Sequence, residues 1–461
     1  MNYRESEHRY LNNYYEKQGS AAIVVYGQEG VGKRRFLQEF IADKFAWQYV
    51  CRNCEDREQR FQLREELGRL HRADESGNLI NNLPQFPAWG ELFEAMAQGH
   101  DVLVFYHFDH LFAQGSEFLS ALGSFLKAHT NGRMLVLLVT DSIRWTENSM
   151  LRQMKRNALL LTGLLKIRPL SFYRMRELYP EIDLHDAVIY YSVLGGFPNR
   201  WALLDTQKSV ENNIIDLFLS PFAPLSLSYH KILSGELREL NVYQTILGYL
   251  GNEMRKLNDI HQQTEFSRAK ISVYLKNLMQ MEVVEKVFSV DTPGRDRTQK
   301  GLYRISDPLL AFYFRFVFRH QTDCEVLNDA EEFYNKHIAA FIEDHAGIYF
   351  RRICLEYIER EIAAGRINLQ VEEAGEWIGK KASLDLLIES DDGEALVGIC
   401  NFHHEMITEE DLEWLHFACK QARISPTMIC LFSMQTFSES VLMKAHQEDQ
   451  ISLFGKEELD G

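Results

Sequence analysis

The stretch Tyr26-Gly27-Gln28-Glu29-Gly30-Val31-Gly32-Lys33-Arg34-Arg35 decides the fold. Residues 21–26, before it, form an apolar run rich in Val and Ile, and residues 36–45, after it, have helical spacing. A strand, a glycine-rich loop and a helix in this order direct backbone N–H groups and a helix N-terminus at phosphate groups. The sequence therefore predicts a polyphosphate-binding loop in which Lys33 contacts the outer phosphates.

The residue after Lys33 departs from the usual pattern of such loops. A Ser or Thr normally stands there and coordinates magnesium through its hydroxyl, whereas this chain has Arg34, which cannot ligate a cation. The plainer alternative is a glycine turn that only starts a helix. We expect ATP or ADP to bind, and the sequence leaves the role of magnesium open. The predicted contact residues are Gly27, Gln28, Glu29, Gly30, Val31, Gly32, Lys33, Arg34 and Arg35.

Composition and charge restrict the class of protein. With 461 residues, 46% of them hydrophobic, the chain is long enough for about two to four globular domains. The seven cysteines are scattered along the chain, which indicates reduced thiols, and the C-x-x-C at Cys51 and Cys54 lacks the second pair that a zinc site needs.

No apolar run reaches the roughly 18 residues of a membrane helix, so we expect a cytoplasmic protein. The formal net charge of −16 confines any nucleic-acid contact to a local patch.

The first 168 residues alternate strand-like and helix-like segments. Candidate strands lie at residues 21–26, 47–51, 101–108 and 133–140, with helices such as 61–71 and 117–129 between them. This alternation predicts an α/β core with a parallel sheet. Residues 169–235 turn helical and contain the break Leu194-Gly195-Gly196-Phe197-Pro198-Asn199-Arg200, which predicts a helical lid.

Residues 236–308 have the pattern of a winged helix. Predicted helices at 242–251, 259–263 and 267–281, the last capped by Ser267, precede strands at 283–290 and 301–306. Between residues 251 and 305, ten Lys or Arg face seven Asp or Glu. These cations could contact DNA, form an ordinary solvated face, or lie beside a protein partner. The nucleic-acid candidates are Arg268, Lys270 and Lys276 on the third helix and Arg295, Arg297 and Lys300 in the loop between the strands.

The rest of the chain is an aromatic helical connector, residues 309–335, and a domain of mixed helix and strand, residues 336–461. Strands at 383–389 and 395–401 flank Asp391-Asp392-Gly393, and Asp-Gly favours a tight hairpin turn. A helix at 408–422 and a strand at 427–431 are predicted to follow.

Hydrolysis of ATP on such a core needs an acidic residue at the end of a buried strand. Tyr106 and His107 stand at that position here. Asp109 or Asp141 could be an unorthodox metal ligand, and His107 could accept a proton. The simpler alternatives are a helix-capping Asp and a polar His at a sheet edge. Together with Arg34, which could itself pair with phosphate oxygens, these substitutions predict slow or absent hydrolysis.

Several further motifs accompany the loop: Arg4-Glu5, Gly195-Gly196-Phe197-Pro198, and Asp307-Pro308-Leu309-Leu310 running into Phe312-Tyr313-Phe314-Arg315-Phe316. Together they resemble the archaeal-type P-loop ATPases of archaea and anaerobic bacteria over nearly the whole chain. The resemblance implies an AAA-related or STAND-like ATPase core, a lid, a winged helix and a C-terminal domain similar to PD-(D/E)xK nucleases. It also places Gly196 and Pro198 near the nucleotide base.

The same resemblance argues against DNA cleavage. Nucleases of this kind hold magnesium with a helix Glu, a strand Asp and a Glu-x-Lys on the next strand. This chain has Arg351 at the first position, keeps Asp385, and has Ile399 and Asn401 at the last two. One carboxylate cannot form that metal site, so we expect a scaffold or docking domain.

Three functional hypotheses follow from these observations. The first is a nucleotide-responsive regulatory or assembly protein that engages DNA or a protein partner. The second is a working ATPase that uses Asp109 or Asp141, coupled to DNA through the winged helix. The third is a structural interaction module with inactive sites. Because related P-loop proteins often receive an Arg from a neighbouring subunit, a homo-oligomer is compatible with each of them.

Overall fold

A computed structural model describes residues 4–70, 82–112, 117–292, 301–327, 329–403 and 405–460. The chain divides into two compact units. The first contains Met1–Pro169 and Phe197–Asn199, and the second contains Leu170–Gly196 and Arg200–Gly461. Both units combine helices with a five-stranded sheet, so the predicted α/β class is confirmed.

The sheet of the first unit is fully parallel, with the spatial order β2-β3-β4-β1-β5. Its strands are β1 Gly19–Tyr26, β2 Ala46–Val50, β3 Val102–Tyr106, β4 Arg133–Thr140 and β5 Gly163–Lys166. The first four confirm the predicted strands, whereas β5, with only four residues, was not predicted. Because β4 lies between β1 and β3, its carboxyl end is a direct neighbour of the loop that follows β1.

Apolar residues cover both faces of this sheet. Ile23 and Val25 of β1 pack with Leu37 on one face, while Ala22 and Val24 pack into a second core on the other. Burial on both faces explains why the strands read as continuous apolar runs. Among the described residues of this unit, the helices are Glu5–Tyr15, Lys33–Ile41, Asp56–Leu70, Trp89–Ala97, Asp109–Phe112, Glu117–Ala128, Ile143–Trp145 and Leu151–Met154, with a π turn at Thr146–Met150 and a 3₁₀ turn at Lys155–Leu160.

The second unit begins with helices, as predicted for the lid region. They are Phe172–Leu178, Leu184–Leu194, Val210–Ile214 and Ser228–Ser234, with a π turn at Ile215–Leu219; the short helix Pro198–Trp201 crosses the sequence boundary between the units. Three helices then precede an antiparallel hairpin, in the order that the sequence predicts for residues 236–308. They are Leu240–Leu250, Leu257–Thr264 and Arg268–Gln280, followed by β6 Val284–Val287 and β7 Leu302–Ile305. Ser267 caps the third helix, since its side chain accepts a hydrogen bond from the backbone N–H of Lys270 at 3.2 Å.

A mixed sheet follows the connector, with the spatial order β12-β11-β10-β9-β8. The hairpin predicted around Gly393 is confirmed, and this glycine has φ +81°. The strands are β8 Glu373–Ile378, β9 Ser383–Glu389, β10 Ala395–Asn401, β11 Met428–Ser433 and β12 Ile451–Phe454. The helices are Pro308–Phe312, Gln321–Leu327, Ala330–His337, Ile342–Ala363, Glu409–Ala422, Glu439–Gln447 and Lys456–Asp460, with a π turn at Tyr313–Val317 and a 3₁₀ turn at Phe318–His320.

All seven cysteines are free thiols, as the sequence predicts. Among the described residues, none of the helices combines the length and the apolar character that crossing a bilayer requires.

Candidate functional site

The predicted loop joins β1 to the helix Lys33–Ile41, and its backbone has a conformation that favours glycine. Gly27 and Gly30 have φ values of +154° and +89°. A Cβ on Gly27 would lie 2.1 Å from the carbonyl oxygen of Ile167, and a Cβ on Gly30 would lie 2.3 Å from Oδ1 of Asn199. The first N–H groups of the helix have no intrahelical partner. The loop therefore has the strand, glycine turn and helix start that a phosphate group requires.

Lys33 is buried and lies at the centre of this loop. Its Nζ donates to the carbonyl oxygens of Gly27 at 2.6 Å and Gln28 at 2.8 Å, and it pairs with Oδ1 of Asp141 at 2.5 Å. Burial lowers the pKa of Lys33, and the Asp141 carboxylate opposes that effect. Two carbonyl oxygens of the loop and the carboxylate of Asp141 thus hold the ammonium group of Lys33.

Asp141 follows β4, and its place next to Lys33 results from the strand order. Its Oδ2 also lies 3.4 Å from Nδ1 of His107, which follows β3 and has a positive φ of +54°. Strained backbone of this kind is common at functional sites. Of the two carboxylates considered from the sequence, Asp141 is the one that the structure brings to Lys33 and His107.

Asp109 is the first residue of the helix Asp109–Phe112. Together with burial, its charge raises the pKa of the nearby Cys51 thiol. A role for Asp109 as a metal ligand stays a prediction. Within the described ranges, no group of three or more His, Cys, Asp or Glu side chains is arranged to hold a metal ion.

The two residues that replace the expected magnesium ligands contact each other. The guanidinium of Arg34 lies over the ring of Tyr106, with 5.1 Å between its central carbon and the ring centroid. The hydroxyl of Tyr106 donates to Oε1 of Gln48 at 3.0 Å. Arg35 instead forms an exposed ion pair with Glu39 at 3.0 Å. A cation and a phenol therefore occupy this side of the site, where a hydroxyl and a carboxylate are usual.

Arg4 connects the loop to the segment that follows β5. Its guanidinium donates to the carbonyl oxygens of Val31 at 2.6 Å and Arg168 at 3.0 Å, and it pairs with Glu7 at 3.1 Å. The sequence identified Arg4 only as part of a resemblance. Nothing in its local sequence indicates this role, because both carbonyl groups belong to distant segments.

The glycine–proline break contributes Pro198 and Asn199 to the first unit. A Cβ on Gly32 would lie 3.8 Å from Cγ of Pro198, so Pro198 lies beside the loop. Its predicted contact with a nucleotide base stays a prediction. Asn199, which the sequence did not single out, contacts Gly30. Gly196 belongs to the second unit, where its carbonyl oxygen accepts from the N–H of Leu170 at 2.8 Å. Its contact with a nucleotide base stays a prediction.

The three predicted cations of the third helix, Arg268, Lys270 and Lys276, are exposed. Arg268 donates to Oδ1 of Asn258 at 2.6 Å, and Lys270 lies over the ring of Phe266 at 4.5 Å. The other three candidates, Arg295, Arg297 and Lys300, lie outside the described residues.

In the C-terminal sheet, Asp385 is the one carboxylate present at the positions that the nuclease resemblance implies, and it forms an ion pair with Arg351. Nε of Arg351 lies 3.0 Å from Oδ1 of Asp385, and Arg351 also lies 4.0 Å from Glu376. The N–H of Cys400 donates to Oδ2 of Asp385 at 3.1 Å. Arg351 thus stands where the resemblance implies an acidic residue, and its charge pairs with that of Asp385. The absence of a metal site here stays a prediction.

Residues 313–413 match a family described as archaeal and bacterial proteins of unknown function. An uncharacterized protein of Methanocaldococcus jannaschii is 23% identical over 402 residues, which cover 84% of each chain. Both matches are to archaeal or bacterial proteins, which agrees with the predicted resemblance to a family of archaea and anaerobic bacteria.

Two solved structures match this chain at low sequence identity. A Walker-type ATPase of Pyrococcus abyssi is 17% identical with a TM-score of 0.47, and the match covers 68% of this chain and 95% of that one. The ORC2 protein of Aeropyrum pernix, solved with ADPNP and ADP, is 13% identical with a TM-score of 0.45, over 72% and 93% of the two chains.

Proposed function

We propose that this chain binds ATP or ADP at residues 27–35 and acts as a nucleotide-dependent regulatory or assembly protein with weak or absent hydrolysis. The position of Lys33 gives the main support. Its ammonium group touches two loop carbonyls and Asp141, so an entering phosphate can take over a contact that a carboxylate makes in the free protein.

The magnesium side of the loop supports weak hydrolysis. Arg34 and Tyr106 contact each other where a hydroxyl and a carboxylate would hold the metal shell. A guanidinium at this place can pair with phosphate oxygens and supply part of the missing positive charge. We therefore expect nucleotide binding that depends little on magnesium.

Calorimetric titration with ATP and with ADP, each with magnesium and with a chelator, tests this proposal. We expect the wild type to bind under both conditions and Lys33→Ala to bind at least about tenfold more weakly, as loss of a charge-assisted contact predicts. Lys127→Ala, which removes an exposed lysine of the same unit, is the matched control. A strict requirement for magnesium would contradict the role of Arg34. Absence of binding at millimolar nucleotide would favour a purely structural module.

A second candidate function is that of an active ATPase coupled to DNA binding through residues 236–308. The contacts of Asp141 with Lys33 and His107 favour it, because they bring a carboxylate and an imidazole to the loop. Phosphate release by the wild type, Lys33→Ala and Asp141→Asn separates the two functions. Release well above that of both variants would establish turnover and overturn the first proposal.

We also propose a division of this function among five segments. They are a P-loop core at 1–168, a lid at 169–235, a winged helix at 236–308, a connector at 309–335 and a degenerate nuclease-like domain at 336–461. The exposed cations of the helix Arg268–Gln280 suit a DNA or protein partner. The Arg351–Asp385 pair supports a C-terminal domain that docks and does not cleave.

A further inference from the structure

The second unit contains a cavity of about 990 Å³ that lies apart from the motifs discussed so far. It opens between the helix Leu240–Leu250 and the segment that runs from Arg315 through the 3₁₀ turn to Phe341. We name it the basic pocket, after the side chains that line it. Those that matter here are Tyr249, Arg315, Phe318, Arg319, Lys336 and Phe341.

Positive charge exceeds negative charge in the basic pocket. Lys336 pairs with Oδ2 of Asp323 at 2.8 Å, and His337 shares the same oxygen. In the described part of the chain, neither Arg315 nor Arg319 forms an ion pair; Arg319 donates to the carbonyl oxygen of Gly248 at 3.1 Å. Burial lowers the pKa of Arg315, and the charge of Asp344 opposes this shift. Such a concentration of cations in a chain of net charge −16 favours an anionic ligand.

Aromatic rings form the apolar part of the same wall. Phe341 is 49% exposed, and the hydroxyl of Tyr249 donates to the carbonyl oxygen of Gln263 at 3.1 Å. The ring of Phe318 packs so close to Gly248 that a Cβ there would lie 2.9 Å from it. A glycine inside a helix costs about 1 kcal/mol relative to alanine, and here it admits this ring. Exposed rings beside guanidinium groups can stack on a planar ligand.

The local backbone brings these groups together. Arg315 lies in the π turn Tyr313–Val317, and Phe318 and Arg319 lie in the 3₁₀ turn that follows at once. A wide turn directly before a tight one changes the direction of successive side chains, and π turns occur frequently at functional sites. Both arginines consequently line one cavity together with Phe318.

We propose that the basic pocket binds a small phosphorylated molecule with a planar ring, of the size of a mononucleotide. Its volume lies in the range of roughly 300–1,000 Å³ that is usual for small-molecule sites. Arg315, Arg319 and Lys336 supply contacts for the phosphate, and the rings of Tyr249, Phe318 and Phe341 supply a stacking surface. Both parts of the ligand contribute to binding, because the cations contact its phosphate and the rings contact its planar part.

Equilibrium binding of AMP and UMP to the full-length Lys33→Ala protein tests this proposal, because that variant removes the principal cation of the loop at residues 27–35. We expect both mononucleotides to bind at one site. Ribose 5-phosphate, which lacks the ring, and adenosine, which lacks the phosphate, should each bind at least about tenfold more weakly. Arg319→Glu and Phe341→Ala, both at exposed positions, should each reduce AMP binding by about tenfold or more.

Arg238→Ala, an exposed arginine of the same unit that does not line the cavity, is the matched control and should leave AMP binding unchanged. Absence of mononucleotide binding up to about 1 mM, or binding that Arg319→Glu does not weaken, overturns the proposal. Binding of oligothymidylate without binding of AMP or UMP also overturns it, in favour of a groove for single-stranded nucleic acid. Because the test protein carries Lys33→Ala, nucleotide binding at the loop is weakened, and the Arg319→Glu and Phe341→Ala variants assign the remaining binding to the basic pocket or to the loop.

Discussion

Gly30 shows how one residue restricts the backbone conformation of the glycine-rich loop. Its φ of +89° strains any residue with a Cβ, and that Cβ would lie 2.3 Å from Oδ1 of Asn199. A left-handed conformation alone costs about 1–3 kcal/mol for a residue other than glycine. We predict that Gly30→Ala weakens ADP binding by at least about tenfold, measured by calorimetry.

Gly68→Ala is the control for this prediction, because a Cβ at Gly68 meets no atom within 4 Å and lies in the helix Asp56–Leu70. It should leave ADP binding unchanged. Adding Asn199→Ala to Gly30→Ala should recover part of the affinity, since it removes the collision and leaves the backbone strain. Wild-type affinity in Gly30→Ala itself would show that the loop is not the nucleotide site.

At this scale the sequence identified candidate residues of the site but not most of the contacts between them. It identified Arg34 and Tyr106 as replacements of metal ligands but not that they stack on each other. It named Asp109 and Asp141 together, and only the strand order separates them. Asn199 was missed, because its contact with Gly30 joins segments that are remote in the chain.

At the scale of elements, a buried ion pair joins two motifs that the sequence identified separately. Nη2 of Arg200, next to the glycine–proline break, lies 2.9 Å from Oδ2 of Asp307, and Nη1 lies 3.3 Å from Oδ1. Arg200 also donates to the carbonyl oxygen of Leu194 at 3.1 Å. The same carboxylate caps the helix Pro308–Phe312 by accepting from the N–H of Leu310 at 3.1 Å. Both side chains are buried, at 6% and 3% exposure.

We predict that Asp307→Ala destabilises the second unit by about 3–5 kcal/mol, because it leaves the Arg200 guanidinium buried without its carboxylate. Arg200→Met combined with Asp307→Ala should cost less than the sum of the single changes, since neither charge then remains unpaired. Hydrogen exchange of the backbone amides in Leu184–Leu194 measures these differences within the second unit.

The control for this pair is Arg174→Ala, which breaks an ion pair with Glu177 in which Arg174 is 49% exposed. An exposed pair contributes about 0–1 kcal/mol, so this variant should change the exchange rates little. Strict additivity of the Arg200 and Asp307 variants would contradict a direct coupling between the two motifs.

At the scale of the whole molecule, a buried histidine should make the free energy of unfolding decrease as the pH falls. His345 is 2% exposed, and its Nε2 lies 3.0 Å from the carbonyl oxygen of Ser192. Burial, assisted by the charge of Arg315, lowers the pKa of His345 to about 3. The folded protein therefore keeps this imidazole neutral, whereas the unfolded chain takes up a proton near pH 6.5.

The stabilisation from neutral His345 is complete above about pH 6.5 and is lost as the pH falls from there toward 3. The loss should reach about 1.4 kcal/mol per pH unit. We predict that His345→Gln, whose amide can still donate to Ser192, has a shallower dependence between pH 6.5 and 5. Hydrogen exchange of the amides in Ile342–Ala363 against pH measures this slope. An equally steep slope in the variant would assign the acid sensitivity to other groups.

The fold was largely predictable because its elements carry local signals. The four longer strands of the first sheet, the hairpin at Gly393 and the three helices before β6 were all anticipated, since apolar runs, turn residues and caps act over a few neighbouring residues. β5 escaped prediction because four residues are too few for a pattern, and its pairing with β1 is a long-range contact.

By itself the sequence determined that a glycine-rich turn follows a buried strand, that a lysine stands at its end, and that the expected metal ligands are replaced. Conformational freedom, charge and side-chain chemistry are properties of each residue and need no tertiary contact. Only the tertiary structure decided that Asp141 meets Lys33, that Arg351 neutralises Asp385, and that Arg315 and Arg319 line one cavity with aromatic rings. These arrangements depend on strand order and on the packing of segments far apart in the chain, which local patterns do not encode.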